Sequence, residues 1–427
     1  MEGASELSGL IHALPGHTDP FRLWFRFEGL SPAQMELSGN PFVPALLAVA
    51  MWLKRPIEID GCVSEQLLSG MGHLMNIWSQ WERRLHRIEI RADAVREKFT
   101  PGRGAACFFT AGVDSFHTVL SNLATETGSA RISHLFFASG QPDMALSNQV
   151  LFKRRCADIG GIARELGLSA IFASTNVRDI VPGMTLAWGV RAGSNLAAPA
   201  LCLAPMLQRV IFSTGLAYDA WYRWGNDPLI DPLWNTEQMR FENHGYEKTR
   251  VRKVALSICG SGVALRNLRV CSNGDRVGGN CGRCEKCVRT MIALRANGAL
   301  DRCPTLPHEI PLAAVRRFNA YDPLLRGFIA ENRDALNRSG ADPELAAVLA
   351  DLLRPHPLRR FRYRVIQAAY RADRNFLDGR IRRWALNRAR DAGTKIQLSE
   401  NPLAWLLSQL RGSRRPAPLP DNRTGES

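Results

Sequence analysis

The chain has 427 residues, is 45% hydrophobic and 22% charged, and carries a formal net charge of +15. That composition suits a globular protein of two or three domains and excludes a disordered or fibrous chain. The longest apolar run, Pro41 to Leu53, falls short of the ~20 residues of a membrane span, and Met1 to Leu10 has neither basic nor apolar signal-peptide character, so no membrane segment and a cytoplasmic location are expected.

The first hundred residues read as a small N-terminal α/β unit (1–100). Phe21 to Phe27 alternates as a strand does, Pro44 to Leu53 reads as an apolar helix, and Ile57 to Ile59 as a short strand. Ser64 to Trp81 places Leu67, Leu68, Met71, Leu74, Met75 and Trp78 on one helical face. Ile88 to Arg91 is a further strand, and Pro101-Gly102-Arg103-Gly104 marks a boundary.

From 101 to 300 the rhythm changes. Strands are expected at Ala105–Phe109, Ile132–Ala138, Ser169–Ser174 and Val210–Ser213. Helices are expected near 115–124, 148–166 and 195–207. Short apolar strands alternating with helices indicate an α/β fold with a parallel sheet covered on both faces. Such sheets bind ligands at the carboxyl ends of their strands. Beyond Pro304 helices dominate, at Leu312–Phe318, Pro323–Asn332, Pro343–Leu353, Arg362–Arg374 and Asn375–Ala392, forming a helical extension (301–410). The Pro-, Arg-, Gly- and Ser-rich end (411–427) reads as a disordered tail. From Arg354 onward there are 17 Arg and Lys against 6 Asp and Glu, a net +11 that leaves +4 for everything before it. This basic stretch fits a solvated bundle face, an RNA contact or an anionic membrane surface, and composition favours the first.

Two motifs carry chemistry. In the first, a strand runs into Thr110-Ala111-Gly112-Val113-Asp114-Ser115 and then into a helix. Backbone N–H groups and a helix N-terminus converge there, which favours an oxyanion such as phosphate. Thr110 and Ser115 offer hydroxyls. Asp114 suits Mg²⁺ or a helix cap. The alternative is a tight turn with an Asp cap. The segment is neither a Walker loop nor a dinucleotide fingerprint.

In the second, Cys271 is followed by Cys281-Gly282-Arg283-Cys284-Glu285-Lys286-Cys287. Four thiolates at this spacing suit a closed, structural Zn²⁺ site. An iron–sulfur cluster ranks below it, since nothing else points to redox chemistry. The other six cysteines read as buried reduced thiols.

The loop resembles the phosphate loop of the ATP pyrophosphatase (PP-loop) superfamily, whose usual form is Ser-Gly-Gly-x-Asp-Ser. Thr110 keeps the hydroxyl. Ala111 for Gly is a departure, tolerable if that position needs neither positive φ nor phosphate contact. The order of loop and cysteine knuckle is similar to the 7-cyano-7-deazaguanine synthase family, over about Ala105 to Asn297. Gly189 to Leu196 stands where that family has Pro-x-Arg-Asn, Ser213-Thr214-Gly215 where it has a small-residue turn, and Arg289 near its Arg. The resemblance implies an adenine nucleotide alpha hydrolase-like core binding ATP, Mg²⁺ and Zn²⁺. It implies a cytoplasmic carbon–nitrogen ligase that adenylates a deazaguanine-like carboxylate and converts it with ammonia to an amide or nitrile, as in queuosine biosynthesis. Thr110, Ala111, Gly112, Val113, Asp114 and Ser115 would bind ATP, and Asp114, Ser115 and Arg191 would act in catalysis.

Arg191 is equally a surface arginine at a helix start. Lys253 is a catalytic candidate, but a lysine on an amphipathic helix usually faces solvent, and that is expected here. Trp221, Tyr222 and Trp224 stack on a heterocycle or pack a loop, and Asp219, Asp227, Asp231 and His244 are second-tier candidates. The aromatic segment Tyr218 to Pro228 departs from the family and suggests a changed or enlarged substrate. RNA or protein substrates, a homo-oligomer, a tRNA-modifying pyrophosphatase and a catalytically silent assembly protein are the alternatives.

Overall fold

The structure is a computed structural model that describes residues 4–96, 104–141, 144–181, 188–271, 278–377, 380–381 and 384. The expected helix Asn375–Ala392, the tail 411–427 and the 272–277 loop lie largely or wholly outside these residues. The chain divides into two compact units, Met1–Arg354 and Pro355–Ser427.

The first unit opens with strands β1 (Ala4–Ile11) and β2 (Phe21–Glu28), then α1 (Phe42–Leu53), β3 (Ile57–Ser64), α2 (Glu65–Trp81) and β4 (Ile90–Val95). It continues through β5 (Gly104–Phe108), α3 (Val113–Thr125), β6 (Ile132–Ser139), α4 (Gln149–Glu165), β7 (Ser169–Thr175), α5 (Trp188–Leu201), β8 (Leu207–Ser213) and β9 (Arg240–His244). Helices follow: α6 (Arg250–Lys253), α7 (Gly262–Asn267), α8 (Glu285–Ala296), α9 (Leu312–Val315), α10 (Pro323–Ser339) and α11 (Pro343–Leu353). The second unit holds α12 (Pro357–Phe376).

Seven strands form one sheet in the order β1-β2-β7-β6-β5-β8-β9. The five from β5 to β9 are parallel, and the β1–β2 hairpin adds antiparallel through Phe25–Thr175 and Phe27–Ala173. The expected N-terminal unit therefore shares the central sheet, while β3 and β4 pair in a separate parallel ribbon around α2. β1 and β9 carry no strand signal in the sequence because neither alternates cleanly: β1 is mostly polar and small, and β9 is Arg-Phe-Glu-Asn-His.

Alternate residues of the strands enter two cores. Cys107, Leu135, Phe137 and Ile211 face one cluster with α3, α4, α8 and the C-terminal helices. Ala106, Phe136, Ala138, Val210 and Phe212 face the other with α1, α2 and α5. Burial on both faces explains why these strands read as continuous apolar runs. Gly70 permits the close approach of α2 to the Leu233 carbonyl, which any Cβ would meet at 2.2 Å.

Helix α5 corrects the expectation of a helix over 195–207. It begins at Trp188 and ends at Leu201, and Leu207 starts β8. The apolar run from Leu196 to Leu203 has no periodicity that could mark its ends.

Candidate functional site

β5 lies between β6 and β8; α3, which follows β5, packs on one face of the sheet and α5, which leads into β8, on the other, so the topological switch point falls between the carboxyl ends of β5 and β8. The Thr110–Ser115 loop leaves the strand there. Thr110 is exposed, while Val113 is fully buried and contributes only backbone. The N-cap of α3 is Gly112, not Asp114, which stands in the first turn. The Ser115 hydroxyl is tied back into the loop, accepting from the Gly112 N–H at 3.1 Å and donating to the Gly112 carbonyl at 3.2 Å.

Ala111 has φ +57°, the left-handed region. The condition under which alanine fits without strain is not met, and about 1–2 kcal/mol is stored there. The residue, methyl included, is buried in the core at 1% exposure. Its carbonyl accepts from the Arg269 N–H at 2.8 Å.

Asp114 is the centre of a cationic group. Its Oδ2 accepts from Arg250 Nη1, and Lys253 Nζ lies 3.7 Å from Oδ1. Lys253 does not face solvent as expected: it is fully buried and donates to the Thr214 carbonyl at 2.5 Å. Burial pushes the Asp114 carboxyl up, but Arg250, then Lys253 and Arg289, outweigh it and hold it below the usual range. Burial lowers Lys253, and the Asp114 carboxylate opposes that shift. Asp114 Oδ1 makes no hydrogen bond among the described residues. Gly215, at the end of β8, lets the chain pass Asp114, since a Cβ there would sit 3.3 Å from Oδ2.

The sequence held a sign of this group. Arg250 and Lys253 are three residues apart, hence on one helical face, with Val251 and Val254 on the inner side. The helix widens into a π turn over Val254–Ile258, with Cys259 N–H donating to the Val254 carbonyl at 3.0 Å. Such widenings are frequent at functional sites. Arg289 reaches the group from α8, beside Glu285 at 3.4 Å, with its guanidinium 3.9 Å above the Phe328 ring of α10. Glu331, also on α10, accepts from the Val251 N–H, and burial raises its carboxyl. The helical extension thus closes the back of the cluster.

Arg191 belongs to a second cationic group at the same edge of the sheet. It is half-buried at the start of α5, and burial, then Arg178, lowers it to about 10. Arg178 donates to the Gln141 carbonyl at 3.3 Å. Near the end of β9, Asp227 and Asp231 are fully buried. Asp227 accepts from Trp221 Nε1 at 2.7 Å, so this tryptophan is anchored in the loop while its ring stays half-exposed. Asp231 Oδ2 accepts from Asn243 at 2.6 Å and Asn226 at 3.1 Å, yet burial pushes its carboxyl up to about 8. His244 bonds Thr118, and His117 bonds Ser257, both inside the fold. Asp219 lies in an exposed turn.

Cys271, Cys281, Cys284 and Cys287 converge, with all sulfurs within 4.8 Å of one another. The Cys281–Cys287 and Cys271–Cys284 pairs stand 4.0 and 3.9 Å apart. A tetrahedron with metal–sulfur bonds of ~2.3 Å has edges of about 3.8 Å, so the cluster fits a metal ion such as zinc. Backbone N–H groups of Cys281, Cys284 and Cys287 donate to the sulfurs of Cys271, Cys281 and Cys284. Neighbouring thiols, Cys271 first, pull Cys281 and Cys284 below the ordinary thiol range, Cys284 to about 6. Asn280 clips the two arms: its Oδ1 accepts from Val270 and Cys271, and its Nδ2 donates to the Leu268 and Thr305 carbonyls. One arm leaves through Arg269 to Ala111, and the other opens α8 toward Arg289.

Among the described residues no helix is long and apolar enough to cross a membrane. No protein-family model, curated protein or solved structure matches the chain.

Proposed function

We propose that this chain is an AMP-forming ATP pyrophosphatase that activates a carboxylate for attack by ammonia, with a deazaguanine-like small molecule as the acceptor class. The observation that carries the reading is the Thr110–Ser115 loop at the switch point of a parallel sheet, with Arg250, Lys253 and Arg289 gathered behind it. A helix N-terminus and three cations suit a triphosphate, whose cleavage depends on positioning and charge neutralisation. Asp114 Oδ1, free of hydrogen bonds, suits Mg²⁺. The Arg191–Arg178 group suits an anionic acceptor. In this reading the cysteine cluster holds Zn²⁺ and is structural, bracing loop and cations from one side.

The Ala111 methyl packs into the core and adds no bulk toward solvent, which favours turnover over a silent nucleotide-binding protein. A tRNA-modifying pyrophosphatase would share the chemistry and differ in acceptor.

The test is turnover of Mg-ATP with ammonium and 7-carboxy-7-deazaguanine, following AMP by chromatography and products by mass spectrometry, with Asp114→Asn as control. AMP with an amide or nitrile product, lost in the variant, supports the whole reading. AMP without that product keeps the chemistry and overturns the acceptor. No AMP, with no ATP binding by calorimetry, sinks the proposal.

A further inference from the structure

Helix α12 has three distinct sides. At 100° per residue, Leu358, Phe361, Val365 and Phe376 fall in a sector about 60° wide. They are 75%, 67%, 48% and 84% exposed. Arg360, Arg364 and Arg371, also exposed, form a second stripe about 90–130° away. Ile366 and Asp373 are buried and lie on the remaining side, where Asp373 accepts from the Ile381 N–H at 2.9 Å. The helix therefore already has a covered side, and the apolar stripe is not it. Beyond Phe376 the apolar exposure continues through Leu377, Ile381 and Trp384.

We propose that α12 is a peripheral membrane-binding helix that lies in the interface of an anionic lipid surface. An exposed apolar stripe with bulky aromatics, flanked by arginines and with little net hydrophobicity, is the pattern of a helix that lies in a bilayer surface rather than spanning it. The arginine stems run along the apolar boundary while the guanidinium groups reach lipid phosphates. Between residues 355 and 384 there are nine Arg against two Asp. That charge opposes docking of a second copy, which would bring two such surfaces together. Nucleic acid would engage the arginines but would leave Leu358 and Val365 in water. A lipid surface is the occupant that satisfies both stripes. The inference is independent of the nucleotide site, since every residue it uses lies beyond Arg354.

The test is flotation of the full-length protein with phosphatidylcholine vesicles, with and without phosphatidylglycerol, at low and high salt. Binding at least ~10-fold tighter to the anionic vesicles, and weakened by salt, is expected. The double variant Phe361→Ser, Phe376→Ser should lose at least ~10-fold in vesicle affinity. The triple variant Arg360→Gln, Arg364→Gln, Arg371→Gln should lose the preference for anionic lipid. An unchanged melting temperature confirms that both variants fold. Absence of wild-type flotation overturns the proposal. So does equal flotation of the double-Phe variant. Binding of homopolymer RNA in place of vesicles, or a mass change on gel filtration caused by the Phe substitutions, would assign the stripe to RNA or to a second copy instead.

Discussion

The Arg269 N–H donates to the Ala111 carbonyl at 2.8 Å, joining the arm that enters the cysteine cluster to the strained residue of the candidate phosphate loop. The four-cysteine cluster and the loop lie more than 150 positions apart in sequence, and this hydrogen bond ties their flanking segments together.

Metal removal is therefore expected to loosen the loop as well as the knuckle. Purified protein should contain one zinc per chain by elemental analysis. Stripping it, or making Cys284→Ser, should lower the melting temperature, because ligation is part of folding free energy. Hydrogen exchange at Ala111 and Gly112 should rise in the stripped protein. Unchanged exchange there would show that the knuckle and loop are not coupled.

Ala111 provides a direct test of the loop conformation. Ala111→Gly relieves ~1–2 kcal/mol of left-handed strain but loses a buried methyl worth ~0.8 kcal/mol and adds chain entropy worth roughly 0.5–1 kcal/mol. The net should be within about 1 kcal/mol of zero. Ala111→Val places a β-branched residue in the same conformation and should cost at least ~2 kcal/mol. Denaturant melts of the pair decide this, and equal stability of the two variants would contradict a left-handed residue at 111.

Asp114 balances buried Lys253 and Arg250. Asp114→Ala should destabilise by a few kcal/mol, less than the ~3–5 kcal/mol of a fully buried broken pair because the carboxylate is 22% exposed. Its folded-state pKa is depressed, so its contribution is present above the unfolded value near 4 and is lost as pH falls through the folded one. Wild-type stability should drop below about pH 4, and the Ala variant should lack that component of the drop. A double variant, Asp114→Ala with Lys253→Met, should recover part of the loss.

Asp231 behaves in the opposite sense. Burial raises its folded-state pKa to about 8, far above the ordinary carboxyl value of 3.8, so the native state binds the extra proton between those values. Stability from this group is full below about pH 4, declines as pH rises toward 8, and is flat above. Asp231→Asn keeps the shape near Asn226 and Asn243 and removes the titration. Melting temperatures of the variant should depend less on pH from 5 to 8, and it should be the more stable form at about pH 8. A parallel pH profile for both proteins would show that Asp231 stays ionised.

The elements legible in the sequence were those with strong local signals. Ser64 caps α2 through the Leu67 N–H, and Leu67, Met71, Leu74, Met75 and Trp78 are buried as their spacing implies. The parallel strands β5 to β8 followed from apolar runs between helices. The cysteine spacing implied the cluster, because a Cys-x-x-Cys turn holds its thiolates together by short-range geometry. The tertiary structure alone decided what those motifs meet. The joining of β2 to β7 depends on long-range hydrogen bonds that no local pattern encodes. Lys253 looked like a solvated helix lysine, and only the packing of α3, β8 and α6 encloses it beside Asp114. Left-handed φ at Ala111 could not be read from an alanine, whose intrinsic preference is the reverse; the buried methyl and the Arg269 hydrogen bond hold it there. Local chemistry was written in residue types and spacing. Charge pairing, strain and the sheet's edge came from contacts between distant segments, where burial changes what each residue can do.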